Sequence, residues 1–463
     1  MTLNDTIAAV STPRGKGGIA VIRISGSEAF AIAERVFEPM GTKRLSELRG
    51  FTAAYGKMYR DADRTKAPID DGVATVYRSP RSFTGEDTVE LSCHGGLLCT
   101  ENLLAAVLAA GARHAEAGEF TRRAFVNGKM KLSETEALAN LLEAKNASQL
   151  KLARSGMEGK IEKKCDGIYE NLRSVLAALY AKIDYPDEDL AEIGNEEMLE
   201  SVKAAAAEIQ ALADTYSSGH AIAEGVKTVI CGRPNVGKSS LYNAIVGRDA
   251  AIVTDIEGTT RDVLEETASL GGVTLRLCDT AGLRASEDKV EMIGVKRAYE
   301  KLEEAELVLA VFDGSSPLSD EDRELISRLS GRKDSVVAVI NKCELAPIAD
   351  RKELLEVFGE VVEISARSED GIDALAKAVE NRYLNKELDL ENDAVVFGAR
   401  QYAALSRALE ELHAAEEILN GKYGTDAAAF AVEGAMGALA ELDGRQIGED
   451  IVSEIFSHFC VGK

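Results

Sequence analysis

The chain has 463 residues, 45% of them apolar, which is too long for one ordinary core and predicts about two to four globular domains. Its formal charge is −24, from 78 acidic and 54 basic residues, so its surface repels phosphodiesters and strong non-specific binding to nucleic acid is excluded. No segment approaches the roughly 18 consecutive apolar residues of a membrane span, and an odd number of cysteines suits a reducing compartment, so we expect a cytoplasmic protein without membrane association.

The first part of the chain, residues 1–125, is rich in strands and turns. Residues 19–24 and 73–77 are apolar runs that predict strands, and a glycine-rich turn precedes the first of them. This segment therefore predicts an α+β domain.

Helices are predicted from residue 126 to residue 221. Ser133 and Glu136 have the spacing of a capping box, in which the two side chains bond backbone amides at the start of a helix. Further along, apolar residues recur every three or four positions, at Ile168, Leu172, Val175, Leu179 and Ile183. This spacing predicts one buried helical stripe.

The pattern changes again at residues 222–384, where short apolar strands alternate with helices as in a doubly wound parallel sheet. Residues 385–463 return to helix, with a second apolar stripe at Leu405, Leu409, Leu412 and Leu419. Two helical segments that flank an α/β domain are explained most simply if they pack together. We therefore predict that the α/β domain is an insertion in one helical domain.

A phosphate-binding loop follows the first strand of the α/β domain. An apolar run at 226–231 leads into Gly-Arg-Pro-Asn-Val-Gly-Lys-Ser at 232–239 and then into a helix, which is the strand, loop and helix context that a P-loop requires. Backbone amides approach the phosphates, Lys238 reaches the terminal phosphates, and the Ser239 hydroxyl binds Mg²⁺. The predicted nucleotide contacts in this loop are Asn235, Val236, Gly237, Lys238, Ser239 and Ser240.

The magnesium shell has two further candidates. The strand at 274–278 ends in Asp279-Thr280-Ala281-Gly282, which places a carboxylate where the shell lies. Thr260, in Gly-Thr-Thr-Arg-Asp at 258–262, is the expected second hydroxyl ligand once a γ-phosphate orders its loop.

Base choice is assigned to Asn341-Lys342-Cys343-Glu344 and to Ser365-Ala366-Arg367, each of which follows an apolar strand. They resemble the guanine-reading Asn-Lys-x-Asp and Ser-Ala-Lys motifs of GTPases, because a carboxylate accepts the two guanine N–H donors. Glu344 departs from that pattern by one methylene. We predict that the guanine preference persists.

Hydrolysis needs a group that orients the attacking water. Ras-like proteins use a glutamine after Asp-Thr-Ala-Gly, but Leu283 stands there and offers no hydrogen-bonding atom. Glu287, Asp288 and Glu291 on the same loop are all candidates. Asn235 offers an oxygen beside the β- and γ-phosphates, where a monovalent cation can sit with carbonyls of the first switch.

Motifs spread along the whole chain resemble those of the MnmE family of tRNA-modification GTPases, also called TrmE. They include Arg-Gly-Lys-Gly-Gly at 14–18, Arg-Ile-Ser-Gly at 23–26, Ser-Phe-Thr-Gly-Glu-Asp at 82–87, His-Gly-Gly at 94–96, Gly-Glu-Phe-Thr at 118–121 and Phe-Cys-Val-Gly-Lys at 459–463. The resemblance implies a Ras-like P-loop GTPase domain inserted in a helical domain and preceded by an α+β, folate-binding-type amino-terminal domain. The implied domains are 1–125, 126–221, 222–384 and 385–463.

The resemblance also implies site residues and ligands. Potassium is held by Asn235, Thr254, Ile256 and Thr259, and Thr254 and Thr259 also count among the GTP contacts. Glu291 orients water across a transient dimer of GTPase domains and acts in catalysis with Lys238. A 5-formyl- or methylene-tetrahydrofolate lies near Arg23, Glu90, Lys129 and Lys463.

The partners implied by the resemblance are a second copy of the chain, tRNA, and the flavoprotein MnmG (GidA) in a heterotetramer or larger complex. Together they add an aminomethyl or carboxymethylaminomethyl group to C5 of the wobble uridine of certain tRNAs. Two alternatives stay open: a nucleotide-switched binding GTPase of the ribosome-assembly type, and a GTPase whose modification role has lapsed.

The cysteines suggest no further chemistry from the sequence alone. Cys93, His94 and Cys99 have no fourth ligand nearby in the sequence, so we expect no zinc site there. Cys460 has no adjacent base other than His458, so we expect a buried structural thiol.

Overall fold

The computed structural model describes most of the chain and divides it into two compact units, Met1–Ala139 with Ala440–Lys463, and Asn140–Leu439. None of the helices in the described part combines the length and apolarity that a bilayer crossing requires. The finer division into four domains stays a prediction. The described residues are 5–64, 67–185, 194–249, 266–277, 302–346, 348–385, 387–421, 424–442, 444, 455–456, 459 and 461–462.

The first unit is built on a sheet of seven strands in the order β3-β4-β5-β6-β2-β1-β7. All neighbours are antiparallel except β1 and β7. The strands are β1 Ile7–Val10, β2 Ile19–Ser25, β3 Phe37–Pro39, β4 Thr52–Met58, β5 Asp70–Tyr77, β6 Thr88–His94 and β7 Arg113–His114. The helices are α1 Ala29–Val36, α2 Leu97–Ala109, α3 Glu119–Val126 and α4 Leu132–Glu143, of which the last continues into the second unit.

Alternation along the strands gives this sheet one apolar face. In β2, Ile22 and Ile24 are fully buried and pack with α1 and α2, whereas Arg23 between them points to the opposite face. The predicted strands at 19–24 and 73–77 are therefore confirmed, and so is the α+β character of the segment.

A buried arginine joins α3 to the sheet. The Arg123 side chain is 1% exposed and donates to the carboxylates of Asp5, Glu86 and Glu119. Hydrogen bonds from Arg113 lower the pKa of Asp5 below its usual 3.8. Burial alone would raise the pKa of Glu119, but its hydrogen bonds with Arg113, the Glu116 amide and Arg123 outweigh burial, and the pKa is lowered.

The start of α4 corrects one prediction. The helix begins at Leu132, one residue before Ser133, and the Glu134 carboxylate accepts from the Lys131 backbone amide at 2.9 Å. Among the described residues, the buried Ser133 hydroxyl has no hydrogen-bond partner. The predicted box of Ser133 and Glu136 is therefore wrong, because the helix begins at Leu132, two residues before the start that an N-cap at Ser133 would give.

The second unit opens with four helices, α5 Ala147–Met157, α6 Lys160–Asp184, α7 Asn195–Ala213 and α8 Tyr216–Ala223. The predicted stripe on α6 is buried at its first four positions, and its last residue, Ile183, is 37% exposed. The stripe is thus confirmed over most of its length.

A sheet of six strands follows, in the order β13-β12-β11-β8-β10-β9. Every neighbouring pair is parallel except β9 and β10. Apolar residues alternate between two cores, as in β11, where Leu309 packs on one face and Ala310 on the other. The elements are β8 Val226–Cys231, α9 Lys238–Asp249, β9 Glu266–Leu270, β10 Val273–Leu277, β11 Leu307–Asp313, α10 Asp320–Leu329, β12 Val336–Asn341, α11 Arg351–Phe358, β13 Val361–Glu363 and α12 Ile372–Tyr383.

Two long helices, α13 Ala399–Gly421 and α14 Thr425–Leu442, follow α12 in the chain. Helix α13 packs closely along α7, and Lys203 pairs with Glu416 between them at 3.5 Å. Leu405 and Leu412 of the second predicted stripe are buried. Helices before and after the six-stranded sheet thus pack together, which confirms that the α/β domain is an insertion.

Candidate nucleotide site

The loop between β8 and α9 holds the lysine of the predicted P-loop over its own backbone. The Lys238 ammonium donates to the Gly232 carbonyl at 2.9 Å and to the Arg233 carbonyl at 2.8 Å. Burial lowers the pKa of this ammonium. Ser239 and Ser240 follow in the first turn of α9, and both residues are exposed.

Two positions in the loop accept only glycine. Gly232 has φ +147°, and a Cβ there would lie 2.3 Å from the Val311 carbonyl oxygen. Gly237 has φ +99°, and a Cβ there would lie 2.1 Å from the Asn341 amide nitrogen. Asn235 has φ +64°, a conformation that asparagine adopts more readily than other residues with a side chain. The sequence motif therefore has the backbone that phosphate binding requires.

Asn341 connects the phosphate loop to the loop predicted to read the base. Its side chain is buried at the end of β12, donates to the Val236 carbonyl at 2.8 Å and accepts from the Ala366 amide at 2.9 Å. Both ends of the amide are thus engaged within the protein. The structure brings the 232–239 loop, Asn341 and the 365–367 loop together, as the sequence predicted.

Sequence reasoning missed two members of this site, Asp313 and Arg233. Asp313 ends β11, and its carboxylate accepts from the Lys342 ammonium at 2.6 Å. Burial would raise the pKa of Asp313, but Lys342 and the Ser315 hydroxyl and amide lower it overall. Arg233 donates to the Asp322 carboxylate at 3.1 Å. The signal for Asp313 was available, since the apolar run 307–312 ends in an acid at the carboxyl edge of a parallel sheet.

The Glu344 carboxylate is exposed beside the 365–367 loop. A hydrogen bond from the Ser365 side chain lowers its pKa, and Arg367 contributes in the same direction. Ser365 is itself fixed, because its amide donates to the Asp370 carbonyl at 2.9 Å. The carboxylate that replaces the usual aspartate therefore has a positioning partner.

Several predicted site residues lie outside the described residues. They are Thr254, Ile256, Thr259, Thr260, Asp279, Thr280, Ala281, Gly282 and Glu291 of the nucleotide, magnesium and potassium sites, Lys463 of the folate site, and Cys460.

The folate-type residues of the first unit form a small polar group on the sheet. Arg23 donates to Glu90 at 2.9 Å, and the Tyr77 hydroxyl donates to the other Glu90 oxygen at 3.1 Å. The Arg23 guanidinium lies 5.3 Å from the centre of the Phe83 ring and 5.6 Å from that of Phe120. A carboxylate accepts about four hydrogen bonds, so Glu90 retains acceptor capacity for a pterin, and the rings offer flat apolar surface.

Lys129 does not join this group directly. Its ammonium is exposed and donates to the Pro80 carbonyl at 3.1 Å. The carbon stem of the side chain lies beside Gly85, where an added Cβ would contact it at 3.1 Å. Lys129 therefore lies against the 80–85 loop rather than against Glu90.

Comparisons with known proteins match the chain to two family models. The family model for the GTP-binding protein TrmE N-terminus matches residues 6–129, and that for the MnmE helical domain matches residues 132–460. The G domain of the T. maritima FeoB iron transporter matches at 28% identity over 34% of this chain and 98% of that chain, with a TM-score of 0.26, which is too low to support an argument.

Relatives match from end to end. The chain is 42% identical to the tRNA modification GTPase MnmE of Symbiobacterium thermophilum over 99% of both proteins. It is 37% identical to that of Thermoanaerobacter pseudethanolicus over 99% of both, and 38% identical to that of Desulforamulus reducens over the full length of both. The chain therefore belongs to the MnmE family of tRNA modification GTPases.

Proposed function

We propose that this protein is a potassium-activated GTPase that works with the flavoprotein MnmG to add an aminomethyl or carboxymethylaminomethyl group to C5 of the wobble uridine of certain tRNAs. GTP is hydrolysed to GDP and phosphate in the inserted domain. The observation that carries this proposal is the end-to-end match with relatives named tRNA modification GTPase, together with a nucleotide loop that has the required backbone.

The described residues fit a magnesium-bound guanine nucleotide. The Lys238 ammonium donates to two carbonyls of the loop. A bound γ-phosphate would take the place of these carbonyls as the partner of Lys238. Ser239 and Thr260 would hold Mg²⁺, which neutralises charge on the phosphates. Asn341 fixes the phosphate loop and the base loop in one arrangement, so that recognition of the base and of the phosphates depends on a single buried side chain.

The cation, folate and partner assignments belong to the same proposal. Asn235, an exposed residue of the loop with φ +64°, would hold K⁺ together with Thr254, Ile256 and Thr259. Glu291 would orient the attacking water. Arg23, Glu90, Lys129 and Lys463 would bind the tetrahydrofolate that supplies the one-carbon unit. The proposed partners are a second copy of the chain, MnmG and tRNA. Because the chain is acidic, MnmG would provide much of the affinity for tRNA.

The decisive experiment is mass spectrometry of tRNA nucleosides from a strain that lacks this gene, compared with the same strain complemented by the intact gene. Loss of the modified wobble uridines, restored by complementation, is the expected result. Unchanged wobble uridines would refute the modification and leave a GTPase that switches binding.

Two measurements on the purified protein test the finer parts. GTP hydrolysis should be faster in K⁺ than in Na⁺ at equal ionic strength, and equal rates would contradict the potassium site. GTP should bind more tightly than ATP or xanthosine triphosphate, and equal ATP affinity would contradict base reading near Glu344.

A further inference from the structure

Three side chains with metal-binding atoms converge at one end of the seven-stranded sheet. The ligand atoms of Asp70, Cys93 and Cys99 all lie within 4.8 Å of one another. Asp70 opens β5, Cys93 is the next-to-last residue of β6, and Cys99 lies in the first turn of α2. Because β5 and β6 are antiparallel neighbours, the start of one lies beside the end of the other, and the cluster follows from this register.

This register supplies the ligand that sequence proximity did not. From the sequence we expected no zinc site at Cys93, His94 and Cys99, because no further ligand lies near them along the chain. Asp70 lies 29 positions before Cys99 in the sequence, and the fold brings it beside the two thiols. His94 takes a different place from the two thiols. Its ring is 74% exposed, whereas Cys93 beside it is 3% exposed, since successive strand residues face opposite sides.

Hydrogen bonds orient the Asp70 carboxylate before any ligand arrives. It accepts from the Cys99 thiol at 3.1 Å, from the His94 backbone amide at 2.8 Å, and from the His94 Nδ1–H at 2.8 Å. Its side chain is 12% exposed. Carboxylates that bind metals are commonly held in this way by outer partners, which reduces the ordering needed when the ion binds.

The turn between β6 and α2 holds Cys99 in place. A Cβ at Gly95 would lie 2.6 Å from the Gly17 carbonyl oxygen, so the backbones of the two loops are in close contact. Gly17 donates to the Gly95 carbonyl at 2.9 Å. Cys99, in the first turn of α2, therefore directly follows a short, fixed turn.

We propose that Asp70, Cys93 and Cys99 form a binding site for a divalent transition-metal ion of the zinc class, with water at the fourth position. Two sulfurs and one carboxylate oxygen select a borderline ion such as Zn²⁺ over Mg²⁺ or Ca²⁺, which prefer oxygen alone. In tetrahedral zinc sites a sulfur and an oxygen ligand lie about 3.5 Å apart. The 3.1 Å between Cys99 and Asp70 thus needs to grow by only a few tenths of an ångström.

The site is independent of the proposed function. Cys93 faces the buried side of β6, and Glu90 of the folate-type group faces the other side. The GTP-binding loops belong to the second unit. If the metal site is refuted, the proposals of GTP hydrolysis and tRNA modification are not affected. If those proposals are refuted, the metal-binding measurements can still be interpreted.

The test uses the full-length protein, reduced and stripped of metal with a chelator, and titrated with Co²⁺. We expect one equivalent to give thiolate-to-cobalt charge-transfer absorption together with the visible bands of a tetrahedral ion, and Zn²⁺ to abolish both. Cobalt bound by the oxygen ligands of a magnesium site gives no thiolate absorption, which separates the two. Absence of the charge-transfer band in the reduced protein would overturn the proposal.

Variants assign the ligands. Cys93→Ser or Cys99→Ser alone should weaken the charge-transfer band, and the double variant should remove it. Asp70→Asn, which retains both thiols, should weaken Co²⁺ binding by at least about tenfold. Cys343→Ser is the matched control, because its thiol is exposed and lies in the second unit, and it should leave the band intact. A band that persists in the double variant Cys93→Ser, Cys99→Ser, or an unweakened Asp70→Asn, contradicts the site.

Alkylation of the unmodified protein gives a second readout that does not depend on the variants folding. Zn²⁺ should protect Cys99, the half-buried thiol of the pair, from a small alkylating reagent, while the exposed Cys343 reacts at the same rate with and without zinc. Peptide mass spectrometry follows each thiol separately. Equal labelling of Cys99 in both conditions, or a disulfide between Cys93 and Cys99 in the reduced sample, would refute a metal site.

Discussion

Asn341→Ala tests whether one buried amide holds the phosphate loop and the base loop together. Truncation removes the donor to the Val236 carbonyl and the acceptor for the Ala366 amide. Leaving a buried polar group unsatisfied costs about 1–3 kcal/mol. Two such groups, partly rescued by water, lead us to expect a total of about 2–4 kcal/mol.

This free-energy cost should appear partly as weaker GTP binding and partly as a lower stability of the inserted domain. Because 1.4 kcal/mol corresponds to a tenfold change, GTP binding should weaken by at least about tenfold. Isothermal titration of GTP gives the affinity, and thermal unfolding with and without GTP gives the stability.

Two further variants separate hydrogen bonding from volume. Asn341→Asp retains the acceptor for Ala366 but turns a carboxylate oxygen toward the Val236 carbonyl, so it should be at least as damaging as alanine. Asn392→Ala is the control, because this exposed amide bonds only Asp389 within its own turn. If Asn341→Ala binds GTP as tightly as the unmodified protein and unfolds at the same temperature, the proposed connection between the loops is refuted.

Three other outcomes are expected. Gly237→Ala should abolish GTP binding measured by titration, since its Cβ would lie 2.1 Å from the amide nitrogen of Asn341 and φ is +99°; wild-type affinity would show that the loop relaxes. Arg123→Met should destabilise the first unit by about 1–3 kcal/mol in calorimetry, because Glu86 loses its ion pair while Asp5 and Glu119 keep theirs with Arg113. The pKa values of Asp5 and Glu119 are lowered below 3.8 and 4.5 in the folded protein. Their contribution to the stability of the first unit is therefore full above those values and is lost as the pH falls through the lowered pKa values. An unfolding temperature of the first unit that does not change with pH in the acid range would contradict this.

The nucleotide loops could be predicted because their chemistry is contiguous in sequence. A strand, a glycine loop and a helix follow one another at 226–249, and each step has its own local signal. The same holds for the helical stripes, where Ile168, Leu172 and Leu405 are buried as their spacing indicates.

The parts that were missed depend on pairing between distant segments. Asp313 meets Lys342 only because β11 and β12 are parallel neighbours, and Asp70 meets Cys99 only through the register of β5 and β6. Sequence spacing carries no information about such pairs unless the order of strands is already known. The start of α4 was missed for a smaller reason, since the Ser133 and Glu136 that form the capping pattern both lie inside the helix, whose first residue is Leu132.

The insertion is tolerated because the inserted domain begins and ends at the same place. The Ser218 hydroxyl of α8, just before β8, donates to the Tyr383 carbonyl at the end of α12, and it accepts from the Asn385 amide. The returning chain then passes so close to α8 that a Cβ at Gly219 would lie 2.0 Å from the Val396 carbonyl oxygen. Adjacent ends leave the helical core continuous across the inserted residues. Among the described residues, the GTPase domain contacts the helices at α8 and at the β9–β10 edge, where Asn146 donates to Thr274 at 3.2 Å, so a movement of the domain would be felt by the helices at these two places.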